Sequence, residues 1–554
     1  MKKRNIFVGC IALPSFLILT ACGGGGNDVP STDDTDTTAP TVGSITPEAS
    51  ATGVARNTAV TATFVEDMFS TTIDGASFTL ANATNTTNVS GSTHFNEVNN
   101  VATFTPNSDL AILAPYTATL SASITDLSGN TLPTYSWSFT TADGTWSDTN
   151  LLEARDGFAY KPQITVDTTG NAIAVWEQNS SIYSKHYTIS SGWGDTALLE
   201  TGEGLARSPQ IAQDATGNAI AVWYQAEKGS NGPNTGIYSN RYTVDSGWGE
   251  AVLLETDDGL AYNPQISLDA TGNAIAVWTV QNDGGMTANI YSNRYTIGSG
   301  WDDAALLETG EEWADFPQIT LNASGIAIAV WYQNDGAAYR IYSKHYTVNS
   351  GWGAAILLDT GDGNAVFPQV ALNSTGNAIA VWEQSDGITS NIYSNRYTVG
   401  SGWGAAILLE TGDGNANFPQ IALNAKGNAI AVWHQENDTA FNIYSNRYAV
   451  DSGWSEAVLL ATNVAFGYNP QIAIDATGNA ITVWGQNDGT AFNIYSNRYT
   501  VNGGWDETAL LETGDGSAYF PQIALDSMGT AIAVWEQRNK ISPFNIHIYS
   551  IRFE

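Results

Sequence analysis

The chain has 554 residues, 43% hydrophobic and only 14% charged, with a formal net charge of −35. Such an acidic surface repels nucleic acid and anionic lipid headgroups, which excludes both as expected partners and leaves cations, cationic partners and neutral sugars. Only two cysteines exist, Cys10 and Cys22, both near the N-terminus, so the fold is expected to rest on its own core rather than on disulfides.

Met1-Lys2-Lys3-Arg4 precedes an apolar stretch from Ile6 to Leu19 that is too short for a membrane span and ends in small residues. Residues 1–21 therefore read as a signal peptide, whose removal makes the charge about −38. The run Leu19-Thr20-Ala21-Cys22-Gly23 resembles the lipobox of bacterial lipoproteins. That resemblance implies cleavage before Cys22, acylation of Cys22, and a lipid anchor in the cell envelope, at the surface or periplasmic face of an outer membrane. Residues 22–38, rich in Gly, Ser, Thr and Asp, have too little apolar surface to pack and read as a flexible tether.

From residue 39 to 142 short period-two runs follow: Thr58–Phe64, Val101–Thr105, Tyr116–Leu120 and Tyr135–Thr140. Alternation broken by Gly, Asn, Pro and Asp predicts a β-sandwich. The segment resembles the S-layer type of bacterial Ig-like domain through Thr38-Ala39-Pro40, Ala51-Thr52-Gly53-Val54, Phe64-Val65-Glu66-Asp67-Met68, Asp126-Leu127-Ser128-Gly129-Asn130 and Trp137-Ser138-Phe139-Thr140-Thr141. The resemblance implies a spacer, and nothing catalytic carries over.

Residues 143–554 repeat one unit of about fifty residues. Each full copy carries a Pro-Gln run, an Ala-Val-Trp run, an Ile-Tyr-Ser run and a Trp-Leu-Leu run, as in Pro419-Gln420, Val432-Trp433, Ile443-Tyr444-Ser445 and Trp454 with Leu459-Leu460. Four strand-like runs per period predict propeller blades. The region opens on a lone fourth run, Trp146 with Leu151-Leu152-Glu153, and ends on a third run at Phe553. Eight complete blades exist only if the first fragment completes the last copy, so an eight-bladed ring closed by an N-terminal strand is expected, in an all-β chain. Both parities of the first two runs are apolar or small, which predicts strands buried on both faces. Gly-Asn pairs such as Gly217-Asn218 and Gly427-Asn428 predict tight turns between them.

Sixteen of eighteen tryptophans fall at two fixed registers, for example Trp433 and Trp454, and read as core and docking residues. A cation recurs in the third run at Arg241, Arg294, Arg396, Arg447, Arg498 and Arg552, replaced by His186 and His345. Buried between sheets, each is expected to pair with a carboxylate. The longer second-to-third and fourth-to-first connections share one face and carry Asp362, Asp413, Asp515, Asp335, Asp386, Asp488, Trp313, Tyr339, Phe441 and Phe492 as candidate ligand contacts. One carboxylate per Thr-Gly-Asp-Gly loop falls short of a full calcium shell, although calcium remains an option there; no other cofactor is expected.

The copies stay alike, whereas catalysis needs different residues in different roles. There is no HExxH or GxSxG, and the five histidines form no metal spacing. Asp214-Ala215-Thr216-Gly217 with Trp223 resembles the docking motif of quinoprotein dehydrogenases only in part, and the Asp-box order of sialidases is not kept. The expectation is a monomeric, non-catalytic envelope lipoprotein that binds glycan or protein ligands multivalently. The alternatives are a scaffold subunit of an envelope complex and, less favoured, a propeller hydrolase or quinoprotein-like enzyme.

Overall fold

The computed structural model describes residues 36–554, apart from 154–156, 201–203, 227–234, 256–258, 283, 309, 311, 360, 362, 411, 413, 438–439, 462–465, 513, 515 and 539–544. Cys22, the signal peptide and most of the tether therefore lie outside the described residues. Among those described, no helix is long and apolar enough to cross a membrane.

The N-terminal domain is a two-sheet sandwich. Strands β1 (Val42–Thr46), β2 (Val60–Phe64), β5 (Val101–Pro106) and β4 (Gly91–Asn96) form one sheet in the order β1-β2-β5-β4; β3 (Phe78–Asn82), β6 (Pro115–Leu120) and β7 (Tyr135–Thr140) form the other. The alternation works as period-two patterning requires: Val60, Ala62 and Phe64 are buried while Thr61 and Thr63 are only half-buried. Phe78, Leu80, Phe104, Tyr116, Leu120, Trp137 and Phe139 complete the core between the sheets.

Eight four-stranded meanders follow, each running first to fourth strand across the sheet. Blade 5 shows the pattern, with Ala365–Leu372, Ala378–Ser385 and Ser390–Thr398, then an outer strand broken into Gly402–Trp403 and Ile407–Leu408. The first strand of each blade packs beside the first strand of the next, and blade 8 returns to blade 1, so the sheets close a ring by packing although no sheet closes on itself. The last blade is completed by the N-terminal strand: Tyr549 pairs with Leu151, Ser550 with Asn150, and Trp146 bridges Phe553. Closure covers one edge that an open array would expose.

Core residues explain why the unit repeats. The tryptophan ending each second strand is fully buried and stacks on the third-strand tyrosine, as Trp433 does on Tyr444 at 6.2 Å. In seven blades its indole N–H donates to the glutamine two residues on, as Trp433 does to Gln435 at 3.1 Å. In blades 1, 4, 6 and 8 that glutamine bonds a glutamate of the preceding blade, as Gln435 does Glu410 at 2.9 Å. At the closure the glutamate is Glu153 of the N-terminal strand, bonded by Gln178 at 3.1 Å. Each fourth-strand aromatic meets its neighbour edge-on: Tyr448 and Trp454 at 5.5 Å, and across the closure Phe553 and Trp146 at 5.3 Å.

The Gly-Asn turns form as expected, with the glycine at positive φ in all eight blades, from +81° to +104°. An Asp or Asn three residues earlier caps the turn; Asp167 Oδ1 accepts the backbone N–H of Thr169 at 2.8 Å and of Asn171 at 3.0 Å. On this face the sandwich docks. Ile112 donates its backbone N–H to the Met528 carbonyl at 2.8 Å and is buried beside Ile481, Trp535 and Phe553, while Arg498 pairs with Asp143 at 2.8 Å.

Two expectations need correction. Second strands are buried along most of their length, but first strands are only half-buried along most of theirs because they are innermost and line the axis of the ring. The third-strand cations do not generally find carboxylates. Among the described residues Arg241, Arg396 and Arg447 make no ion pair and instead lie over the tyrosine of the next blade, Tyr295, Tyr448 and Tyr499, at 5.8, 5.5 and 5.7 Å; Arg294 also lacks one. Arg498 over Phe553 and Arg552 over Tyr187 join an acid as well, Asp143 and Glu554. His186 and His345 pack on Tyr242 and Tyr397 at 5.2 and 5.3 Å, and burial lowers the affinity of both for a proton. A delocalised guanidinium sheds water at little cost and an aromatic face satisfies it, which is why no acid is needed.

Candidate functional site

The Pro-Gln run breaks its own strand. Proline lacks an N–H for the ladder, so the register slips at each copy, as between Val366 and Gln369. The residue before every proline takes a left-handed conformation, with φ between +47° and +51° at Lys161, Ser208, Asn263, Phe316, Phe367, Phe418, Asn469 and Phe520. None is glycine. For a bulky residue this backbone costs about 1–2 kcal/mol, and eight copies of it around one axis are over-determined by the surrounding sheet.

The bulge turns these side chains toward the mouth of the axial channel, on the face that carries the longer connections. Three positions of each blade are neighbours here, the residue before the proline, the one preceding it, and the residue after the buried tryptophan, and in blades 8 and 1 all three line the mouth. The last two pair across the strands, as Tyr160 with Glu177, Asp315 with Tyr332 and Tyr519 with Glu536. These positions differ from blade to blade while the buried strands around them repeat.

The mouth is consequently lopsided. Across blades 4 to 6, Phe316, Phe367 and Phe418 form an arc with ring centroids 5.0 and 5.1 Å apart, above a cavity of about 260 Å³. Behind the arc, Tyr339 meets Tyr332 edge-on at 5.2 Å and Phe441 meets His434 at 6.0 Å. Phe492 lies between Tyr468 and Tyr519 at 5.4 and 5.3 Å. Across blades 8, 1 and 2 the mouth opens into a cavity of about 750 Å³ lined by Tyr160, Lys161, Glu177, Arg207, Tyr519, Phe520, Glu536 and Arg538.

Carboxylates hold the bulges in place. Glu536 of blade 8 accepts the backbone N–H of Lys161 in blade 1 at 2.6 Å, and burial pushes its carboxyl up to about 7. Burial likewise raises Glu177 and Glu383, which accept the N–H groups of Ser208 and Phe418 from the following blades. In blade 4, Asp315 takes four donors: Phe316 N–H at 2.7 Å, Thr279 Oγ1 at 2.8 Å, and Tyr262 OH and Asn263 Nδ2 at 3.2 Å. His434, buried between Phe418 and Phe441, is pushed down to about 4 and stays neutral.

Of the residues singled out from sequence, Asp362, Asp413 and Asp515 lie outside the described residues. Asp335, Asp386 and Asp488 head the second-to-third turns and spend their carboxylates there. Asp335 Oδ1 accepts Ala337 and Ala338 N–H at 2.9 Å, and Asp488 Oδ1 accepts Thr490 and Ala491 at 2.8 and 3.1 Å. The Thr490 hydroxyl and then these backbone bonds hold the Asp488 carboxyl down to about 2, the backbone bonds and the Arg340 guanidinium do the same for Asp335, and backbone bonds from Thr389 and Ile388 lower Asp386. Trp313 is half-buried and its carbonyl accepts the Asn334 N–H at 2.9 Å. The candidates thus divide: Tyr339, Phe441 and Phe492 back the mouth, and the three described aspartates shape turns. Sequence reading missed the residues flanking Pro-Gln and following Trp, whose signal was variation inside otherwise constant copies.

Among the described residues one set of carboxylates could hold a cation, Asp36, Glu66 and Asp126 of the sandwich, with ligand atoms within 4.8 Å of one another. Two of Asp126's acceptor positions are engaged by Ser128 and Asn130 N–H at 2.8 and 2.9 Å.

No curated protein matches the chain. Among solved structures it is similar to a protein of unknown function from Dyadobacter fermentans DSM 18053, at 11% identity and TM-score 0.37, covering 64% of this chain and 96% of that one. It is also similar to a PL25 ulvan lyase, at 10% and 0.42, covering 73% and 95%, and to the β-propeller domain of the trilobed protease from Pyrococcus furiosus, at 9% and 0.39, covering 63% and 94%. Scores this low carry no argument, and the fold rests on the sheet order and ring packing described above. Residues 36–141 match the family model of the bacterial Ig-like domain.

Proposed function

We propose that the protein is a non-catalytic binding module of the bacterial cell envelope, anchored through Cys22, that takes a glycan or protein ligand at the axial mouth of its ring. One observation carries this reading: the blades repeat along their strands and differ at the residue before the proline, which lines the axial mouth, joined in blades 8 and 1 by the residue preceding it and the one after the buried tryptophan. Exposed aromatic rings held by a rigid frame suit recognition. The sandwich docks on the opposite face and so does not cover the mouth. Multivalent binding, one ligand to each cleft between blades, has less support, because the girdle of cations and tyrosines already fills that register.

The test is a glycan array and a pull-down from envelope extract, run with the full chain and with Phe367→Asn plus Phe418→Asn. Asparagine tolerates the left-handed backbone, so the frame survives while the aromatic arc is lost. Ligand captured by the parent and lost by the variant supports the proposal. Capture unaffected by the variant, or cleavage of the bound glycan, overturns the axial site or the non-catalytic reading respectively.

A further inference from the structure

Basic residues are scarce in this chain, 20 against 55 acids, and most of those described are committed elsewhere. The girdle takes the third-strand arginines, and Arg340 is clamped by Asp335 and Asp359 at 3.0 and 3.1 Å. Among the described residues, Lys161, Arg207 and Arg538 are exposed outside the girdle and converge on the larger cavity, while the exposed Lys426 lies on the opposite face. Lys161 Nζ bonds a hydroxyl, Ser208 Oγ at 2.7 Å, rather than an acid; Arg207 is 48% exposed and only 3.8 Å from Glu177; Arg538 lies over the Tyr519 ring at 5.4 Å.

We propose, building on the axial site above, that this sector binds a saccharide unit bearing a carboxylate, with Arg207, Arg538 and Lys161 around the anion and the Phe520 and Tyr519 rings against the sugar face. Guanidinium groups match a carboxylate in a two-pronged geometry, and an exposed ring offers a flat apolar face to sugar C–H bonds. A cavity of about 750 Å³ lies within the usual range of small-ligand sites and suits a short oligosaccharide. Glu177 and Glu536 offset only part of the positive charge, because burial disfavours the ionised form of both. The surrounding negative field disfavours a densely charged polyanion, so selectivity belongs to single acidic sugars within a chain.

Titration calorimetry of the full chain tests this with trigalacturonate, its methyl ester and a hexaglutamate peptide. The acid is expected to bind, with esterification and Arg207→Ala plus Arg538→Ala each weakening it about tenfold or more. Lys426→Ala, which removes one charge from a first-to-second turn on the opposite face, should change nothing. Equal binding of acid and ester, indifference to the arginine pair, or no binding of trigalacturonate overturns the inference. Peptide binding as tight as the saccharide's overturns it in favour of an acidic peptide. A neutral glycan held through Phe367 and Phe418 would leave the axial-site proposal standing while this inference falls, whereas a mouth that binds nothing on the array removes both.

Discussion

At the residue scale, the hydrogen bond from the buried indole explains why glutamine follows tryptophan at the same spacing in seven blades. A buried indole N–H without an acceptor costs about 1–3 kcal/mol. Blade 3 is the exception: Val280 stands where glutamine would, and Trp278 Nε1 has no partner. Val280→Gln is therefore expected to raise the denaturation midpoint by an amount equivalent to about 1 kcal/mol, and Gln435→Leu to lower it by about 1–3 kcal/mol. Urea titrations of both variants check the pair, and a neutral Gln435→Leu would remove that hydrogen bond from the account. Glu536 gives a pH dependence at the same scale. Its carboxyl is raised from the ordinary 4.5 to about 7, so ionising it disfavours the folded state, and its contribution falls as pH rises through that interval. It faces Lys161, Glu177, Tyr160 and Arg538, of which the cations soften the effect. Glu536→Gln keeps an acceptor for the Lys161 N–H and should flatten the decline in midpoint between about pH 5 and 7. The tryptophan registers were legible as core from sequence; the orphaned indole was not, since nothing in the run Trp278-Thr279-Val280 says which way its N–H points.

At the element scale, the strained bulge decides what the mouth displays. Asparagine and glycine tolerate positive φ, whereas a β-branched residue does not. Phe367→Val is expected to lower stability by about 1–3 kcal/mol more than Phe367→Asn, although valine is closer to phenylalanine in hydrophobicity. Thermal melts of the two variants decide it, and a more stable valine variant would mean that the strain is not real. The proline could be read from sequence as breaking a ladder hydrogen bond. That its neighbour would swing to the axis could not, because the direction depends on which edge of the blade is innermost. The same geometry explains the third-strand cations: their partner is a tyrosine one blade away, and only the packing of blades brings the two together.

At the scale of the whole molecule, closure makes residues some four hundred positions apart one sheet. Leu152 of the closing strand and Leu358 of blade 4 are both buried, at 0% and 1% exposure. Substituting either with alanine should cost about 2–5 kcal/mol, equally for the two if the seam is as well packed as the interior of the ring. A Leu152→Ala variant indistinguishable from the parent would mean that the seam is open.

Periodicity alone determined the blade, its four strands, the number of copies and the seam, because each follows from a repeat written along the chain and from where its ends are cut. Alternation alone outlined four of the seven sandwich strands, while β1, β3 and β4 carry weaker patterns. What only the tertiary structure decided is the site. Variation at three positions per repeat is silent until the ring closes and sets those positions side by side, and whether an aspartate binds or merely shapes a turn depends on which N–H groups the folded backbone points at it.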